Sequence, residues 1–175
     1  MELIEPTLLI VDDERTMRKA LMRTLSDVAN TIEAESAEEA LQILATVQVD
    51  VVLSDQDMPG MCGLDLLRMV RLRWPLVQRL IVTASHDFEV AVRAINLGEV
   101  SRFVSKPWRD DEICCSVLQA IEHAALEREV HELREQVRRT RATLLELERT
   151  YPGITMLRTD GEGAILLDGV DEVSV

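Results

Sequence analysis

The chain of 175 residues is long enough for one well-buried core, with a remainder that needs its own explanation. At 47% hydrophobic and 29% charged it has a globular and not a disordered composition, and with no apolar run near the ~20 residues of a membrane helix and no basic-then-apolar leader it reads as cytoplasmic. The net charge of −13 divides into 21 acids and 12 bases over residues 1–125, six of each over 126–151, and five acids to one base over 152–175, so no segment has the basic excess that DNA or RNA binding demands.

Short runs rich in β-branched residues and Leu recur along the chain: TLLIV (7–11), TIEA (31–34), VDVVLS (49–54), RLIVT (79–83) and RFVS (102–105). Between them the apolar residues take helical spacing, as in Met17, Ala20, Leu21 and Leu25, and then Leu41, Leu44 and Ala45. Ser36 and Glu39 have the spacing of a capping box, in which a hydroxyl and a carboxylate satisfy free amides at a helix start. Gly98 follows a helical run over 88–97, where a left-handed cap is expected. Strand and helix alternate with short connections, and the strands at 7–11 and 49–54 read as buried on both faces. This pattern implies a parallel sheet between helical layers. The cysteines Cys62, Cys114 and Cys115 lack metal-ligand or disulfide spacing and read as packing residues.

In an open parallel sheet, ligands gather at the carboxyl ends of the strands. Here those ends carry Asp12 and Asp13 after the first strand, Asp55 after the third, Thr83 at the fourth and Lys106 after the fifth. Any one of them is explained as a cap or a solvated residue. All of them on one edge form the parts of a single site. Clustered carboxylates raise one another's pKa unless a hard cation sits among them, and an oxygen-only set suits Mg²⁺. A lysine and a hydroxyl facing that cluster suit a phosphoryl group. Lys106 is one of two lysines in a chain with 17 arginines, and a point charge fits a phosphate there.

The motifs LLIVDDE, VVLSDQDMPGMCGLDLL, LIVTAS and RFVSKPW, in that order, resemble those of response-regulator receiver domains over roughly residues 5–124. The resemblance implies a flavodoxin-like α/β fold, with a five-stranded parallel sheet in the order 2-1-3-4-5. It makes Asp55 the acceptor of a phosphoryl group from a histidine kinase or phosphotransfer protein. Asp12, Asp13 and Asp55 would hold Mg²⁺ with the main-chain carbonyl of Asp57, Lys106 would pair with the phosphate, and Thr83 and Phe103 would be the switch residues. It also implies a cis bond between Lys106 and Pro107, and an output surface built from the run 88–97, the strand 102–105 and the helix from residue 110. Cys62 stands where the family commonly has Asp, outside the chemistry. Asp57 lies where the family's side chain varies, beside the phosphoryl position, where an acid would bear on the lifetime of the phosphorylated state by repelling hydroxide or orienting a water. The KPW sequence is similar to receivers found ahead of cyclic-di-nucleotide phosphodiesterase or transcription-activating ATPase domains. No HD-GYP signature, Walker loop or helix-turn-helix pattern follows residue 125.

The last helix has no Pro or Gly from Asp110 to Tyr151, a length of roughly 60 Å at 1.5 Å per residue. Leu126, Val130, Leu133, Val137, Thr140, Leu144, Leu147 and Tyr151 alternate spacings of four and three, the seam of a two-stranded coiled coil with Thr140 as its weak point. Dimerisation through 126–151 is the expectation, and folding back onto the chain's own core is the alternative. Residues 152–175 read either as a β-hairpin around DGEG or as an acidic tail. The expected organisation is thus a receiver over 1–124, a helical extension over 125–151 and a tail over 152–175. Two other functions compete. One is a scaffold that works without phosphorylation. The other is a phosphatase of the haloacid-dehalogenase type, whose DxD motif Asp55-Gln-Asp57 imitates, although in that family the motif follows the first strand and not the third.

Overall fold

A computed structural model of the chain describes residues 5–84 and 98–152. All five expected strands are present: β1 (Thr7–Val11), β2 (Asn30–Ala34), β3 (Val51–Asp55), β4 (Gln78–Ala84) and β5 (Arg102–Lys106). Among the described residues four helices accompany them, α1 (Arg15–Leu25), α2 (Ala37–Thr46), α3 (Gly63–Arg73) and α4 (Asp110–Thr150). The sheet is parallel throughout in the order β2-β1-β3-β4-β5. The expected helix over 88–97 lies outside the described residues, as does the expected hairpin from residue 153 on.

Alternation along the strands divides the core into two layers, because successive side chains leave opposite faces of the sheet. Leu9, Val11, Val52 and Ile81 pack on one face with Leu44 of α2 and Leu66, Leu67 and Val70 of α3. Leu8, Ile10, Leu53, Leu80 and Val104 pack on the other with Leu21 and Leu25 of α1 and Ile113, Val117 and Ala120 of α4. Covering both faces leaves β3 buried at every residue, Asp55 included.

Local signals act where the sequence places them. Ser36 Oγ accepts from Glu39 N–H at 3.2 Å, while the Glu39 carboxylate accepts from the N–H of Glu35, one residue before the cap. Gly98 has φ +67°, the left-handed conformation expected of it. The cysteines are free; Cys62 and Cys114 are half-buried, but Cys115 is exposed, so the packing reading is corrected for that residue. Adjacent positions on a helix point 100° apart, and with Ile113 and Val117 turned inward Cys114 falls at the margin of the buried face and Cys115 beyond it.

The amino edge of the sheet is laced by side chains. Asp50 accepts from Thr7 N–H at 2.7 Å and pairs with Arg128 of α4. Gln78 donates to Glu127 at 2.7 Å and accepts from Ser101 Oγ at 2.7 Å. The chain divides into two units, residues 1–129 and 130–175. In the first, α4 buries Ile113, Val117, Ala120 and Ala124. Among the described residues of the second, Val130, Leu133, Val137, Leu144, Leu145, Leu147 and Tyr151 are all exposed.

Candidate functional site

The register brings the carboxyl ends of the strands level: Val11 lies beside Ser54, Asp55 beside Val82, and Thr83 and Ala84 beside Ser105 and Lys106. Asp12 and Asp13 follow β1 immediately, and carboxylate oxygens of Asp12, Asp13 and Asp55 lie within 4.8 Å of one another. Asp12 is 2% exposed and Asp55 5%, whereas Asp13 faces solvent. Lys106 Nζ stands 2.6 Å from Asp55 Oδ1 and 3.9 Å from Asp12 Oδ2. Thr83 is buried on the neighbouring strand, its hydroxyl donating to the Ala84 carbonyl at 3.4 Å. Phe103 is half-buried on β5 and packs on the core layer of α2 and α3. Asp57 is exposed two residues beyond Asp55, and the Lys106–Pro107 bond is cis.

Three carboxylates face one lysine, and the imbalance registers on Asp12. Its pKa is raised, first by burial and then by the charges of Asp55 and Asp13, against the N–H of Glu14 and the charge of Lys106. Asp55 Oδ1 touches Lys106 as an ion pair but has no hydrogen-bond partner among the described residues. Two buried carboxylates sharing one lysine are incompletely compensated. The donor set, oxygen-only and net negative, fits a hard divalent cation such as Mg²⁺.

The supporting residues were not singled out by the sequence. Arg18, 7% exposed on α1, donates to the Asp12 carbonyl at 2.6 Å and pairs with Glu33 of β2 at 3.4 Å. Asp12 Oδ1 accepts from Glu14 N–H at 2.8 Å. Asp12 is thus held by carbonyl and carboxylate together, which leaves Oδ2 toward Lys106. The signal for Arg18 was its spacing: with Leu21 and Leu25 it occupies the buried stripe of α1. After β3 the chain doubles back. Gly63 N–H donates to the Gln56 carbonyl at 3.1 Å, and Leu64 N–H donates to the Gln56 side chain at 3.2 Å. A Cβ at Gly63 would collide with the Asp55 carbonyl, so glycine at 63 lets α3 begin directly against the end of β3.

Comparison with known proteins agrees with this construction. The model of the response regulator receiver domain matches residues 8–118, and the chain belongs to that family. It is 36% identical over 129 residues to the hydrogenase transcriptional regulatory protein HoxA of Cupriavidus necator, covering 74% of this chain and 27% of that protein. To the DNA-binding transcriptional regulator NtrC of Escherichia coli it is 38% identical over 115 residues, covering 65% of this chain and 24% of that one. The chain therefore spans about a quarter of the curated relatives it matches. Among solved structures it resembles the signal receiver domain of an HD domain-containing protein from Pseudomonas fluorescens, with TM-score 0.69, 35% identity and coverage of 74% of this chain and 96% of that one. It also resembles a structure described as adenylate cyclase from Rhodopirellula baltica, with TM-score 0.73, 30% identity and coverage of 75% and 98%. Receiver domains accept phosphate from histidine kinases and bind Mg²⁺ at an acidic pocket. No described helix is long and apolar enough to cross a membrane.

Proposed function

We propose that residues 1–124 receive a phosphoryl group on Asp55 from a histidine kinase or phosphotransfer protein, and that residues 125–151 join two copies so that phosphorylation changes a protein-interaction surface. The observation that carries the first part is the state of Asp55. It is buried at the end of β3, its Oδ1 is ion-paired to Lys106 with no hydrogen-bond partner among the described residues, and it lies beside two further acids.

In this reading an Asp55 oxygen attacks phosphorus in line, the P–O bond forms as the donor's P–N bond breaks, and the histidine leaves with its ring nitrogens restored to neutral form by a proton. Lys106, already 2.6 Å from Asp55, neutralises charge on the phosphoryl oxygens. Thr83 exchanges its bond to the Ala84 carbonyl for one to the phosphate, and Phe103, one strand away, repacks as that hydroxyl turns. Asp12, Asp13, Asp55 and the Asp57 carbonyl would hold Mg²⁺, whose charge offsets the repulsion between carboxylate and phosphate. Activity is limited to self-phosphorylation and slow self-hydrolysis, with Asp57 placed to influence the second.

Incubation with Mg²⁺ and acetyl phosphate is expected to add one phosphoryl group by mass, and Asp55→Asn to add none. A phosphorylation-independent scaffold would instead keep its partner binding and cellular effect in Asp55→Asn. The phosphatase reading has less support. Its DxD follows β3 and lies inside the matched receiver segment, and it requires steady turnover of small phosphoesters.

A further inference from the structure

The seam on α4 carries information about how two copies meet. In heptad terms Val130, Val137, Leu144 and Tyr151 fall at a, and Leu126, Leu133, Thr140 and Leu147 at d. Every described member with a large apolar side chain is exposed, from Leu147 at 38% to Val137 at 66%. Valine at two of the four a positions with leucine at three of the four d positions is a combination that, in parallel coils, favours two strands over three or four.

The flanking charges select the parallel arrangement. In a parallel, in-register pair Glu129 at g faces Arg134 at e of the second copy, twice by symmetry. The next pairs, Gln136 with Arg141 and Thr143 with Glu148, oppose no like charges. An antiparallel pair with full overlap sets each a residue against a d residue, Val130 against Leu147 and Val137 against Thr140. It then sets e against e: Glu127 meets Glu148, and Arg134 meets Arg141. Each of those like-charge contacts also occurs twice. Glu127, at e beside the seam, is bonded to Gln78, and Arg128, at f on the face away from the seam, is paired with Asp50. Leu126 beside them remains 59% exposed.

We infer that the partner on this seam is a second copy of the chain, lying parallel and in register, with Glu129 and Arg134 setting the orientation. The inference rests on the proposed dimer and adds its direction, which brings residues 110–129 of both copies to one end of the coil. Signals from two Asp55 sites would then reach the coil at the same end.

Full-length Leu147→Cys in a Cys115→Ser background, oxidised with diamide, tests the direction. A parallel pair sets position 147 against itself, so the variant alone is expected to form a disulfide-linked dimer. An antiparallel pair would leave it unlinked and would link only a mixture of Val130→Cys and Leu147→Cys chains, which overturns the inference while keeping the dimer. A monomeric mass by light scattering with no link in either case would overturn the dimer itself and favour a helix folded back on its own core. Glu129→Arg is expected to weaken dimerisation roughly tenfold by turning two attractive pairs into repulsive ones. Glu129→Arg with Arg134→Glu is expected to restore it, and an unchanged affinity in the single variant would remove the role given to this pair.

Discussion

The two edges of the sheet bury polar groups equally deeply and treat them differently. At the amino edge Asp50 has both carboxylate oxygens engaged, by Thr7 and Arg128, and Gln78 both gives and receives a hydrogen bond. At the carboxyl edge Asp12 and Asp55 crowd together opposite a single lysine, and one oxygen of Asp55 has no hydrogen-bond partner among the described residues beyond its ion pair with that lysine. A satisfied buried network holds chain segments together. An undercompensated one is a place where a cation and a phosphoryl group lower the free energy by arriving. The difference separates residues that maintain the fold from residues that use it.

Breaking the amino edge should therefore cost stability and spare the chemistry. Asp50→Ala strips a partner from the half-buried Thr7 N–H and from Arg128, and is expected to lower the free energy of unfolding by about 3 kcal/mol in urea titration. Part of the Arg128 contribution is lost to solvent, since its side chain is 32% exposed. Phosphorylation of the folded fraction should continue at its normal extent.

Filling the carboxyl edge should do the reverse. Mg²⁺ at a hundred times its dissociation constant is expected to stabilise the wild-type chain by about 2.7 kcal/mol, read as a rise in Tm. Asp12→Asn should lose most of that gain, because it removes a buried ligand. Asp50→Asn should keep it.

The smallest effect sharpens the same contrast by pH. Asp12 has a folded-state pKa above its ordinary value of 3.8, so the folded chain keeps a proton that the unfolded chain releases. In EDTA this group makes stability fall as pH rises from 3.8 to the raised value, by at most about 1.4 kcal/mol per pH unit. Glu33 acts with the opposite sign. Its pKa is lowered, chiefly by its hydrogen bond from Lys19, so its contribution is present above 4.5 and is lost as pH falls. Comparing wild type with Asp12→Asn across this range isolates the first slope, and an identical pair of profiles would contradict the raised pKa that burial, chiefly, and neighbouring acids give Asp12.

The strands, their burial and the residues at their carboxyl ends could be read from the sequence because each rests on a local pattern: runs of β-branched residues, continuous apolar stretches, and acids placed directly after apolar runs. The capping box of α2 was legible for the same reason. What could not be read depends on pairs distant in the chain. Asp50 and Arg128 are 78 residues apart, and nothing near either marks the other. Arg18 shows a related limit, for its helical position marks it as buried but cannot reveal that it holds the Asp12 carbonyl. Gly63 reads as a loop residue until the Asp55 carbonyl is seen where its Cβ would stand. Exposure at Cys115 and burial at Cys114 depend on how far α4 is rotated against the sheet, a packing outcome set by Ile113 and Val117.

The most direct measurement is to locate the phosphoryl group itself. Wild-type chain would be treated with acetyl phosphate with and without Mg²⁺, reduced with borohydride to convert any aspartyl phosphate to homoserine, and mapped by peptide mass. Homoserine at position 55, appearing only with Mg²⁺, is the predicted result. A product at Asp12, Asp13 or Asp57, or none at any position with the protein folded and Mg²⁺ bound, would contradict the role assigned to Asp55.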